Sequence, residues 1–216
     1  RPDLIAPGRG AQQIPAATVF AGPAQARVAV GRALRNTPPP RSESPFSMQA
    51  LLDAIARMPL PTDACRIFHG RGGLHPGCEH WTLDAFPPVW LVTSFLPVEE
   101  AELATVHAAL AARWAELKPG EPLNWVFQYR HEARAETRLM AGSVPEPHVV
   151  REDGAGFRVH LLRGLNHGFF LDMAEGRRRV RELVAARPGA KVLNLFAYTC
   201  SFSVVALLAG ARQVTN

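Results

Sequence analysis

Apolar positions mark out this chain unevenly, and three regimes follow one another. Arg1 to Ser47 shows neither a helical nor a strand period, and Pro38-Pro39-Pro40 sits among Ser42, Glu43 and Ser44. That pattern predicts a disordered or non-native extension over 1–47. Met48 opens an amphipathic helix with Leu51, Leu52, Ile55 and Met58 on one face and Pro59 ending it. Because the chain begins with Arg, Met48 is also the expected natural start.

From Ala64 the period shortens to that of strands. Arg66-Ile-Phe68 leads into a glycine-rich loop, Gly70 to Gly77, and His80 to Phe86 with Val89 to Phe95 reads as a hairpin around Pro87 and Pro88. A long helix is predicted from about Val98 to Leu117, with Leu103, Val106, Leu110, Trp114 and Leu117 at three- and four-residue steps. Glu99, Glu100 and Glu102 fill its first turn, where the helix dipole favours anions. Leu123 to Tyr129 reads as a strand, whereas His131 to Arg138 is charged and unassigned. His148 to Arg151 and Phe157 to Leu162 make a second hairpin around Asp153-Gly154. This block, 48–150, is expected to be a small central α+β domain.

The last third changes character again. Gly168 to Asp172 is strand-like and precedes an amphipathic helix, Met173 to Arg187, on which Met173, Val180, Leu183 and Val184 share a face. Arg177, Arg178, Arg179 and Arg181 are expected on its solvated side. Lys191 to Phe196 is a short apolar run, Ala197 to Cys200 a tight turn, Ser201 to Leu208 a helix stopped at Gly210, and Val214 starts another strand. Strand, turn, helix and strand in that order open a doubly wound α/β sheet. Ligands in such sheets sit beyond the carboxyl ends of the strands, here at the Ala197–Ser201 turn. The fold class is therefore α/β.

Composition narrows the function classes. The 216 residues are 47% hydrophobic, and no apolar run approaches the roughly 20 residues that cross a bilayer. Cys65, Cys78 and Cys200 are too scattered for a disulfide framework, so a reducing cytoplasm is expected. The formal charge is +5, and lysine occurs only at Lys118 and Lys191, so the positive charge is almost all arginine. Arginine suits phosphate recognition, although charge of this size is only permissive for RNA. No Gly-x-Gly-x-x-Gly and no Gly-x-x-x-x-Gly-Lys-Ser/Thr follows the Lys191 strand, which argues against a dinucleotide dehydrogenase and a P-loop enzyme. Cys65, His69, His75, Cys78 and His80 lack the paired Cys-x-x-Cys spacing of a structural zinc site, and no metal is expected.

Two motifs in order carry a resemblance. Phe170-Leu-Asp-Met173, then Val192-Leu-Asn-Leu-Phe-Ala-Tyr-Thr199 with Phe202-Ser203, resembles class I S-adenosylmethionine-dependent methyltransferases of the type that methylates cytosine or guanine in large-subunit (23S) ribosomal RNA. Arg66-Ile-Phe-His-Gly70, Pro76-Gly77, Leu83-Asp84 and Val89 to Val92 resemble the central domain of those enzymes, so the likeness runs from about Ala64 to Asn216.

The resemblance implies that 151–216 is the N-terminal part of a Rossmann-like methyltransferase domain, incomplete at its C-terminal side. It implies S-adenosyl-L-methionine as cofactor and ribosomal RNA as partner. Asn194, Phe196, Ala197, Tyr198 and Thr199 would line the cofactor. Asp172 would approach from the other side, where a carboxylate accepts hydrogen bonds from an ammonium group, or would instead N-cap the following helix. Arg177 would reach a carboxylate or phosphate only if it left the solvated face. Many family members carry Gly where this chain has Cys200, and the catalytic residues they place later in the sheet have no counterpart among these residues. Methyl transfer to a ribosomal RNA base is the expected activity of the parent family, with a non-catalytic remnant or weak RNA-binding module as the alternative.

Overall fold

The computed structural model describes residues 48–131 and 134–216. The expectations of an extension over 1–47 and of a start at Met48 lie outside these residues.

Helix α1 (Gln49–Arg57) buries Leu51 and Ile55 on the stripe its periodicity predicts. Strands β1 (Cys65–His69), β2 (Trp81–Phe86) and β3 (Val89–Ser94) follow as an antiparallel meander. Helix α2 (Glu100–Leu117) then crosses over to β4 (Trp125–His131), which lies parallel to β3, and β5 (Arg134–Ala141) returns antiparallel at the edge. The five strands are ordered as in the sequence, β1-β2-β3-β4-β5. At the start of α2 the backbone N–H of Glu99 donates to the Glu102 carboxylate at 2.9 Å, the reciprocal half of a capping box. Leu103, Val106, Leu110 and Trp114 bury the predicted face of the helix.

Strands β2 and β3 are buried at every position, because the sheet is covered on both sides. The period-two alternation of strand side chains divides the core in two. Trp81, Leu83, Ala85, Trp90, Val92, Trp125 and Phe127 pack beneath α1 and α2. Phe86, Val89, Leu91 and Val126 face a second cluster with Val150, Phe157, Val159, Phe169, Leu171 and Val205. This second face changes character along its length. Beyond Phe86, Leu91 and Val126 the same side of the strands carries Thr82, Asp84, Thr93, Gln128 and Arg130.

The hairpin β6 (His148–Glu152) and β7 (Ala155–Val159) points alternate residues into that second cluster. Gly168 to Asp172, read as strand-like, is instead a loop that ends in a 3-10 turn, Leu171–Met173, before α3 (Ala174–Ala185). It pairs with no strand, and Phe169 and Leu171 are buried in the second cluster instead. The final unit is β8 (Lys191–Leu193), α4 (Ser201–Leu208) and β9 (Gln213–Thr215), with β8 and β9 parallel. That is the strand–helix–strand arrangement the hydrophobic pattern predicts. The charged stretch 131–138 falls largely in β5, whose exposure alternates from Arg134 onward. Charges along an edge strand discourage pairing with other chains.

Candidate active site

The turn after β8 is strained. Phe196, Tyr198 and Cys200 all have positive φ, at 56°, 49° and 62°. None is glycine, and a left-handed conformation costs a residue with a Cβ about 1–2 kcal/mol. Three such residues at alternate positions persist only where surrounding structure holds them, and strain of this kind clusters at ligand sites. Cys200 is also the residue before α4, and no side chain caps that helix. Its first-turn N–H groups therefore face the turn without a side-chain acceptor, a place that suits an anionic group.

Each residue expected at the cofactor is held differently. Asn194 donates from Nδ2 to Ser203 Oγ at 2.7 Å, tying the end of β8 to α4. Thr199 donates from Oγ1 to the Gly168 carbonyl at 2.6 Å. The Tyr198 ring lies 5.1 Å from that of Phe170. Phe196 is fully exposed, and Ala197 is half-buried with its carbonyl accepting from the Cys200 N–H. The structure thus joins the turn to the 168–170 segment.

Asp172 sits elsewhere. It lines a cavity of about 250 Å³ over the polar end of the sheet, together with Arg66, Asp84, Arg130, His167 and Phe170. It caps no helix: α3 has no side-chain cap. Phe170 is the residue common to the cavity and the turn, since it lines the first and packs on Tyr198 of the second.

Arg177 departs from the solvated face its neighbours occupy. Its guanidinium is buried, donating to both Glu152 oxygens at 2.5 and 2.7 Å and to the Phe170 carbonyl at 2.9 Å. It also lies 4.1 Å from the centroid of Phe169, which stacks on Phe157. The paired carboxylate and the aromatic face together make burial of this cation tolerable. Runs of arginine in α3 hide this residue in the sequence; the signal was Glu152, at a position of β6 that its alternation turns inward.

The cavity is lined with charge. Arg66 pairs with Asp84 at 2.8 Å, and burial pushes the Asp84 carboxyl up while Arg66 pulls it down. Arg130 donates to Gln128 Oε1 and to the Leu165 carbonyl. Burial pushes its guanidinium below the ordinary value, Asp84 pulls it back, and Arg66 and Arg71 push in the same direction as burial. His167 is driven to about 4 by burial and by Arg130, against its bond to the His160 carbonyl. Among the described residues no three His, Cys, Asp or Glu side chains converge as metal ligands, and no described helix is long and apolar enough to cross a membrane.

Comparison with known proteins adds the decisive observation. The sequence profile described as S-adenosylmethionine-dependent methyltransferase matches residues 65–216. The chain belongs to that family. It is 47% identical over 90 residues to the ribosomal RNA large subunit methyltransferase K/L of Psychrobacter sp., covering 41% of this chain and 11% of that one. It is 34% identical over 142 residues to the ribosomal RNA large subunit methyltransferase I of Aeromonas hydrophila, covering 65% and 35%. Among solved structures it is similar to SMU.776, a methyltransferase complexed with SAH, at 27% identity and a TM-score of 0.54 over 71% of this chain and 37% of that chain. A Streptococcus mutans protein described as SAM-dependent matches with a TM-score of 0.53 at 26% identity, over 77% and 40%. The chain thus spans well under half the length of the relatives it matches.

Proposed function

We propose that residues 151–216 form the N-terminal part of an S-adenosyl-L-methionine-binding domain, preceded by a central α+β domain over 48–150. The protein to which they belong transfers a methyl group to a base of ribosomal RNA. The observation that carries this reading is the strained turn at the carboxyl end of β8, where Phe196, Tyr198 and Cys200 are left-handed. Family membership and the names of the relatives point the same way.

The residues fit the cofactor. The side-chain-uncapped start of α4 suits its carboxylate, and the exposed Phe196 and Tyr198 rings offer apolar surface to its adenine. Asn194 and Thr199 orient the turn through Ser203 and Gly168. Asp172, on the cavity side of Phe170, offers an acceptor for its ammonium or for the incoming base. When bound, S-adenosylmethionine supplies an electrophilic methyl on a sulfonium. The chain's own contribution is positional: it aligns donor and acceptor. A ribosomal RNA substrate supports a cytoplasmic location.

Ultraviolet crosslinking of labelled S-adenosylmethionine to the chain, followed by peptide mapping, tests the assignment. Label in the peptide that spans 191–201 is the expected result. Label confined to other segments would contradict it.

A further inference from the structure

Of the residues that line the cavity over the polar end of the sheet, Asp172 alone has been offered to the methyl donor. Its wall carries three guanidiniums, from Arg66, Arg71 and Arg130, and two carboxylates, from Asp84 and Asp172. Arg66 already engages both oxygens of Asp84, at 2.8 and 3.4 Å. Among the described residues no carboxylate lies within ion-pair distance of Arg130 or Arg71. Arg130 is fixed by neutral oxygens of Gln128 and Leu165, and Arg71 rests 4.6 Å over the Phe95 ring. His69 and His167 add donors and acceptors without adding charge at neutral pH, since both are pushed below the ordinary imidazole value. With Arg66 matched by Asp84, Arg71 and Arg130 share the wall with one further carboxylate, Asp172, and the net positive charge of this half-buried space favours an oxyanion from outside.

Four aromatic rings also line the cavity, those of Phe86, Phe95, Phe169 and Phe170. Phe170 is 42% exposed, and its ring lies 5.1 Å from that of Tyr198. A group held by the arginines therefore lies beside the turn proposed for the methyl donor. Guanidiniums next to an open aromatic ring are the pairing that single-stranded nucleic acid selects, phosphate on the one and base on the other.

We infer that this cavity docks one nucleotide of the RNA substrate, its phosphate between Arg71 and Arg130 and its base toward Phe170. Naming RNA as the ligand rests on the function proposed above. The role of the central domain would then be to seat the strand so that the next stacking position is the methyl-donor turn.

Fluorescence anisotropy of a labelled single-stranded RNA oligonucleotide with the chain tests this. Arg71 is exposed, so Arg71→Ala leaves the fold intact, and Arg212→Ala removes the same charge from an exposed position outside the cavity wall. Arg71→Ala is expected to weaken binding roughly tenfold and to make the dependence of log affinity on log salt shallower by about 0.7. Arg212→Ala is expected to change affinity by less than about twofold, and Arg130→Gln, checked for folding by circular dichroism, to act like Arg71→Ala. Equal losses for Arg71→Ala and Arg212→Ala, or no RNA binding by the unaltered chain, would overturn the inference. Displacement of the oligonucleotide by inorganic phosphate as efficiently as by a nucleoside monophosphate would overturn the nucleotide assignment. Titration of S-adenosylmethionine into Arg71→Ala separates the two readings. If RNA binding depends on Arg71 while neither protein binds the cofactor, the methyl-donor reading fails and the docking site stands.

Discussion

Arg177 and Glu152 form a buried, two-pronged ion pair that ties α3 to the hairpin β6–β7, with N–O distances of 2.5 and 2.7 Å. The same guanidinium donates to the Phe170 carbonyl, so the pair also sets the segment that joins the cavity to the turn after β8. Removing one partner leaves a buried charge without compensation. Arg177→Met is expected to cost about 3–5 kcal/mol, read by urea denaturation. The double variant Arg177→Met, Glu152→Leu is expected to lose less than Arg177→Met alone, because no charge is then stranded. A double variant as unstable as the sum of the two single ones would show that the residues act independently.

The neutral form of His167 satisfies both of its ring nitrogens. Nδ1–H donates to the His160 carbonyl at 3.2 Å, and Nε2 faces the Arg130 guanidinium at 3.4 Å. A second proton would have to sit against that cation. The folded value of about 4 lies below that of the unfolded chain, near 6.5. The unfolded state thus takes up a proton first as pH falls. Stability is unaffected above about pH 6.5 and declines between there and pH 4, by about 3 kcal/mol for this group. His167→Gln, which keeps a donor and an acceptor, is expected to flatten that part of the pH profile in urea unfolding. An unchanged profile would remove His167 from the account.

Cys200 occupies a left-handed conformation, φ 62° and ψ 24°, at the entry to α4. Glycine adopts it without a Cβ clash but loses more backbone entropy on folding. Cys200→Gly is expected to stabilise the chain by up to about 1 kcal/mol, whereas Cys200→Ala is expected to bring no gain. Urea midpoints measure both. Destabilisation by Gly greater than by Ala would mean that the thiol packing outweighs the strain.

Periodicity made the helices and most strands legible, since α1, α2 and β2 to β4 each bury the face their spacing marks out. It failed where tertiary partners decide. Gly168 to Asp172 has the composition of a strand, yet it enters no sheet, and Phe169 and Leu171 are buried by side-chain packing in the second cluster. Arg177 looks like its exposed neighbours, and the inward Glu152, the Phe169 ring and the Phe170 carbonyl together hold it inside. Asn194 to Thr199 stood out as a motif, but the left-handed backbone at Phe196, Tyr198 and Cys200 did not, because such conformations normally announce themselves by glycine. The cavity was invisible for a different reason. Its walls come from strands β1 to β4, the loop residues Arg71 and Phe95 and the 166–172 segment, which no local pattern connects.

Isothermal titration of S-adenosylmethionine into the chain, alongside Thr199→Val, addresses the claim that the turn after β8 holds the methyl donor. The Thr199 hydroxyl fixes the turn to Gly168 at 2.6 Å, and its loss removes one hydrogen bond, about 1 kcal/mol. The account predicts a dissociation constant on the order of micromolar for the unaltered chain and about fivefold weaker binding for the variant. No heat of binding from a chain whose circular dichroism and cooperative unfolding are intact would contradict it.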